Sequence, residues 1–88
     1  WHTPGHTEGS VVLLCGEYLF VGDTVFQGSI GRTDLEGGSD RKMEASLRKF
    51  AGLPIPKETQ LLPGHGDFST YGEELETNYY IKAALRNA

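Results

Sequence analysis

The sequence has only one cysteine, one methionine and one tryptophan, and no apolar run approaches the roughly 18–20 residues needed to span a bilayer. A lone thiol, Cys15, cannot form a bridge within the chain, so the disulfide framework of small secreted domains is excluded. Cytoplasm is the expected compartment. Basic residues are also few: 8 Lys and Arg against 12 Asp and Glu give a net charge of −4. A chain without a basic stripe is poorly suited to neutralising phosphates, so neither nucleic acid nor a membrane surface is the expected partner. No charged-then-apolar leader opens the chain. It starts Trp1-His2-Thr3-Pro4, without Met, and reads as a segment cut from a longer protein.

What is present suits one small globular unit. A chain of 88 residues makes one domain at most. It buries about 60–65% of the surface that its unfolded form exposes, enough for a modest core but not for a large enzyme cleft. Glycine is abundant, with 12 residues, which implies many turns and places of close backbone approach.

Val11 to Cys15 and Tyr18 to Val21 are short apolar runs split by the turn signal Gly16-Glu17, and they predict a β-hairpin. Cys15 is expected to be buried with its run. Gln27 to Gly38 contains four glycines and little periodicity, and reads as a loop. Ser39 or Asp40 can cap a helix whose apolar stripe is Met43, Leu47 and Phe50. Gly52 fits its end, and Pro54 and Pro56 block continuation. Thr59 to Leu62 predicts a further strand and Asp67 to Gly72 a polar turn. Glu73 to Arg86 predicts a second helix with Leu75 and Tyr79 as packing residues. Acidic residues in its first turn and Arg86 in its last have the sense favoured by the helix dipole.

One echo carries more weight than these elements. Pro-Gly-His occurs twice, as Pro4-Gly5-His6 and as Pro63-Gly64-His65, and a third strand ends in Val21-Gly22-Asp23. Three strand ends thus offer a glycine followed by a side chain able to bind a metal: His6, Asp23 and His65. Two imidazoles and a carboxylate form a borderline ligand set that suits zinc and also iron or manganese. They lie 17 and 42 residues apart, a spacing that no local finger motif has, so only the fold can assemble them. Each has an ordinary role to set against this. A lone histidine in a glycine turn is usually a surface residue, and an aspartate after a strand usually forms a turn or a cap. His2, with no glycine beside it, reads as structural or as a neighbour of the ligands.

The run His2-Thr3-Pro4-Gly5-His6-Thr7-Glu8-Gly9-Ser10 resembles the third metal-binding motif of metallo-β-lactamase-fold hydrolases. Phe20-Val21-Gly22-Asp23-Thr24 resembles the fourth, and Leu62-Pro63-Gly64-His65-Gly66 the fifth. Gly31-Arg32-Thr33-Asp34, Gly37-Gly38 and Ser69-Thr70-Tyr71-Gly72-Glu73-Glu74 with Asn78 are similar to the glyoxalase II-like branch. The resemblance implies an α/β chain forming the C-terminal half of an αββα sandwich, with residues 1–88 lacking the upstream half. It implies His6 on a first metal, His65 on a second and Asp23 as the bridge, Asp23 also orienting the nucleophile. The family's upstream His-x-His-x-Asp-His motif has no counterpart here, which leaves each metal two protein ligands rather than three.

The implied activity is hydrolysis of a thioester or ester by two metal ions, usually zinc, sometimes iron or manganese. In the glyoxalase II-like branch the substrate is typically a glutathione thioester, but the basic glutathione-binding residues of full glyoxalase II lie in a further C-terminal helical domain beyond this match. Two other readings stand beside it. The Gly-Arg-Thr-Asp segment is also found in iron-dependent persulfide dioxygenases, although their last histidine motif usually departs from Pro-Gly-His-Gly. Alternatively the chain is a catalytically silent module whose apolar sheet face drives self-association into a homo-oligomer. Arg32 and Asp34 read as a structural pair at a turn, close enough after Asp23 to border the site.

Overall fold

Four strands, β1 (Leu13–Cys15), β2 (Tyr18–Gly22), β5 (Gln60–Pro63) and β6 (Ser69–Thr70), form one mixed sheet in that order, with helices packed on one face, in a computed structural model that describes residues 1–87. Strands β1 (Leu13–Cys15) and β2 (Tyr18–Gly22) make the expected hairpin, with Leu13 opposite Phe20 and Cys15 opposite Tyr18. Strand β5 (Gln60–Pro63) runs parallel to β2, which places Gly22 beside Pro63 and so brings two glycine-marked strand ends together, whereas Pro4-Gly5-His6, expected at a third, follows only an isolated bridge between His2 and Val11. Strand β6 (Ser69–Thr70) pairs antiparallel to β5 inside the segment expected to be only a turn.

Alternation along β2 decides which side is core. Leu19 and Val21 are buried, whereas Tyr18 and Phe20 face outward with 40% and 46% of their surface exposed. Helix α1 (Asp40–Ala51) lays Met43, Leu47 and Phe50 on the buried side, as the stripe predicts. Its Ser39 side chain accepts from Lys42 N, and the Gly52 N–H bonds the carbonyl of Lys49. With Val12, Val25, Leu53, Leu61, Tyr71, Ile81 and Ala84 these residues form one cluster. Each large apolar side chain buried there contributes roughly 1.5–3 kcal/mol over exposure, so removing Phe50 would open the centre of the fold.

Four expectations need correction. Cys15 is exposed, because β1 is an edge strand with all three residues open. An apolar run alone cannot say which face another layer covers. The Gln27–Gly38 segment is not all loop: β3 (Val25–Phe26) and β4 (Ser29–Ile30) form a second, two-stranded hairpin. The single helix expected over Glu73–Arg86 is two, α2 (Tyr71–Thr77) and α3 (Tyr79–Arg86). Asn78 breaks it with an extended backbone and caps α3 by accepting from the N–H groups of Tyr80 and Ile81. Because α3 starts afresh at Tyr79, that ring is 65% exposed instead of packed. No helix among the described residues is long and apolar enough to cross a membrane.

Candidate metal centre

Asp23 stands in the turn between β2 and β3, where Thr24 N bonds the carbonyl of Val21 at 3.0 Å. The buried hydroxyls of Thr3 and Thr24 meet at 3.1 Å and join this turn to the segment carrying His6. Across the sheet, Gly64 N donates to the carbonyl of Gly22 at 2.8 Å and brings in His65. The three predicted residues therefore do converge. His6 Nε2 lies 3.4 Å from Asp23 Oδ2, and His65 Nδ1 lies 2.9 Å from Asp23 Oδ1. One carboxylate thus offers a different oxygen to each imidazole.

The two rings are not equivalent. His6 Nδ1 is 2.8 Å from the carbonyl of Arg32. A carbonyl can only accept, so Nδ1 carries a proton, and the neutral form of the ring would then turn its Nε2 lone pair toward Asp23. In that form two acceptors face each other and repel, and a cation held between them would reverse the sign. Their 3.4 Å separation also matches the ~3.4 Å edge of a tetrahedron built on metal bonds of ~2.0–2.2 Å. His65 instead donates its Nδ1 proton to the carboxylate, and its side chain is 78% exposed. It must turn its ring to act as a ligand.

Among the described residues no three His, Cys, Asp or Glu side chains meet at one point able to hold an ion. The chemistry of the donors fits a metal, but as two pairs sharing Asp23, each one ligand short of the three usual in a catalytic zinc site. His2 stays outside, its Nε2 2.7 Å from the carbonyl of Glu8.

An open groove of about 440 Å³ lies over these residues, bordered by His6, Asp23, His65, Phe26, Ile30 and Arg32. Its floor depends on a glycine. A Cβ on Gly31 would sit 1.8 Å from the carbonyl oxygen of Asp23, so only glycine lets the two turns touch. Arg32 then leaves the floor with its carbonyl on His6 and its guanidinium on Asp34, in a bidentate pair at 2.8 and 2.9 Å. The Arg32 hydrogen bond, aided by one from the backbone, holds the Asp34 carboxyl down to about 2, and the pair raises the guanidinium in turn. Both side chains are more than 60% exposed, so this is a solvent-screened structural clamp, as expected, at the edge of the groove. The sequence reading missed Phe26 and Ile30 as walls, since nothing local marks Val25-Phe26 as a strand returning on Ser29-Ile30.

The model of the Metallo-beta-lactamase superfamily matches residues 1–65, which include all three residues of the centre. The chain belongs to that superfamily. Hydroxyacylglutathione hydrolase GloC of Haemophilus influenzae is 36% identical over 84 residues, covering 93% of this chain and 39% of the relative. Among solved structures, TTHA1623 in a di-iron-bound form is 42% identical with a TM-score of 0.82, over 90% of this chain and 40% of the neighbour. ETHE1 from Myxococcus xanthus is 32% identical with a TM-score of 0.81, over 93% of this chain and 38% of the neighbour. The chain spans about two-fifths of the length of most of the relatives it matches, as in the 41% covered in a mycobacterial protein of Mycobacterium tuberculosis that is itself 41% identical. The fold is thus α/β with mixed sheets, shared with metallo-beta-lactamase-fold proteins.

Proposed function

We propose that this chain supplies part of the dinuclear centre of a metal-dependent hydrolase acting on thioesters or related esters of small molecules. The observation that supports it best is the geometry of Asp23, with one oxygen toward His6 and the other toward His65, the three residues coming from separate segments of the chain. In this reading His6 and Asp23 hold one ion and His65 and Asp23 a second, with further ligands coming from outside these three. Metal bound there would supply Lewis acidity, acidifying water and neutralising charge that develops on a carbonyl oxygen. Asp23 would also accept a hydrogen bond from the nucleophile and orient it. Arg32, through its carbonyl, keeps the His6 lone pair aimed at the site. Phe26 and Ile30 give the groove an apolar wall against which a substrate's hydrocarbon part can lie. Zinc is the ion we favour for the donor set, and iron is the competitor, since a di-iron-bound neighbour shares the fold.

The test begins with metal content. The chain is purified without chelator, and zinc, iron and manganese are counted per chain for parent and His65→Ala. Metal near one equivalent that falls in the variant supports the reading, and thioester hydrolysis by the longer protein is then assayed. Metal near zero in the chain and no thioester turnover by the longer protein would sink it. Oxygen uptake with an iron-loaded longer protein would transfer the reading to the persulfide dioxygenase suggested by Gly31-Arg32-Thr33-Asp34. We further infer that the outer sheet face, with Leu13 58% and Phe20 46% exposed, favours self-association of the isolated chain. A monodisperse monomer in light scattering would count against that.

A further inference from the structure

Glu74 and Asn78 are the most deeply buried polar side chains of α2 and its junction with α3, with 1% and 0% of their surface exposed. No cation pairs with Glu74 among the described residues. Its Oε1 instead accepts from Gly28 N at 2.8 Å and from Asn78 Nδ2 at 3.0 Å. The same Asn78 nitrogen reaches the carbonyls of Ser29 at 3.0 Å and Phe26 at 3.4 Å. Every one of these backbone partners, 46 to 52 residues away in sequence, belongs to the β3–β4 hairpin or its turn. That hairpin forms one wall of the metal groove, and its Phe26 ring meets the His65 ring edge-on at 6.0 Å.

A buried carboxylate without a cation is expensive unless its hydrogen bonds are made, and here one comes from the hairpin turn at Gly28 and the other from Asn78, which itself holds the hairpin. We infer that Glu74 and Asn78 are a positioning pair for the candidate metal centre: they fix the β3–β4 hairpin and thereby the Phe26 wall against which His65 rests. The inference rests on the metal-centre reading for its purpose, but the placement of His65 can be measured without metal. Asn78 divides its work, since its oxygen caps α3 and its nitrogen holds the hairpin. The pair acts on His65 through Phe26, whereas the His6 ring is held by the carbonyl of Arg32, two residues beyond β4.

The test compares parent, Glu74→Ala and Glu74→Gln in the metal-free chain, reading the imidazole signals of both histidines by long-range proton–nitrogen NMR, followed by zinc titration. Glu74→Ala should move the His65 signals by removing the Phe26 ring from its place, move those of His6 less, and weaken zinc binding about ten-fold. Glu74→Gln keeps an acceptor for Gly28 and Asn78 and should restore both readouts. A variant that melts earlier but keeps the parent His65 signals would overturn the inference, as would a Gln variant no better than Ala. In case Glu74→Ala does not fold, amide exchange in the parent decides. Gly28 N–H should be protected like the core amides, and exchange at the rate of an open turn would refute its burial against Glu74. A parent chain that binds no zinc yet shows the expected His65 response would remove the metal reading and leave the positioning intact.

Discussion

The turns Pro4-Gly5-His6 and Pro63-Gly64-His65 have the same three residues, but one is sealed into the fold and the other is open. Gly5 lies against helix α1 so closely that a Cβ would fall 2.5 Å from the Cα of Met43, and its φ of +152° lies where side chains rarely go. Pro4 is anchored too, its carbonyl accepting from Ser46 Oγ at 2.6 Å. His6 is only 22% exposed and has both ring nitrogens engaged, one by Arg32 and one facing Asp23. Gly64 has no helix over it. Its nearest neighbour would be Asp23 Oδ1 at 3.0 Å, the tip of a side chain that can rotate. His65 projects from there with 78% of its side chain exposed. A tripeptide can therefore encode a sharp turn ending in a donor, while tertiary packing decides whether that donor is fixed or adjustable.

The largest effect should come from adding one methyl group to each turn. Gly5→Ala must displace helix backbone and should cost roughly 3 kcal/mol or more. Gly64→Ala asks only Asp23 to move and should cost about 1 kcal/mol or less. Thermal melts of the two variants check this, and equal losses would break the comparison. A smaller difference is expected on deleting the rings. His6→Ala gives up a hydrogen bond and should lose about 1 kcal/mol, whereas His65→Ala should stay within ~0.5 kcal/mol. Both should lower bound zinc, so urea titrations paired with metal counts separate support from ligation.

The smallest effect concerns the clamp behind His6. Arg32 lowers the Asp34 carboxyl to about 2, below its ordinary 3.8. The clamp's contribution is thus present above the unfolded value and is lost as pH falls from about 3.8 through about 2. NMR titration of the Asp34 side chain should give that low midpoint, moving back toward 3.8 in high salt because the pair is exposed. Asp34→Asn should leave the melting temperature unchanged and shift His6 signals slightly, through the Arg32 carbonyl, without touching His65.

Local patterns in the chain predict much of this. The Met43-Leu47-Phe50 stripe with Ser39 before it and Gly52 after it fixes α1, because periodicity and capping are local properties. The β1–β2 hairpin and the three glycine-marked donors are legible for the same reason. The break at Asn78 was available in principle, since asparagine is a poor interior residue and a good cap, but acidic residues ahead and Arg86 behind favoured one continuous helix.

By itself, then, the sequence determined which residues can donate to a metal, where the chain turns sharply, and which stripe of α1 is core. Only the tertiary structure decided that β5 lies parallel beside β2 and carries His65 to Asp23, that Arg32 selects the His6 tautomer, and that Glu74 and Asn78 reach back to the β3–β4 hairpin. Those contacts join residues 26 to 52 positions apart, or 42 for His65 and Asp23. Such pairings depend on how the sheet and helices pack, which no local run of residues specifies. The exposure of Cys15 was decided at the same level, because a strand's apolarity does not reveal which of its faces another layer will cover.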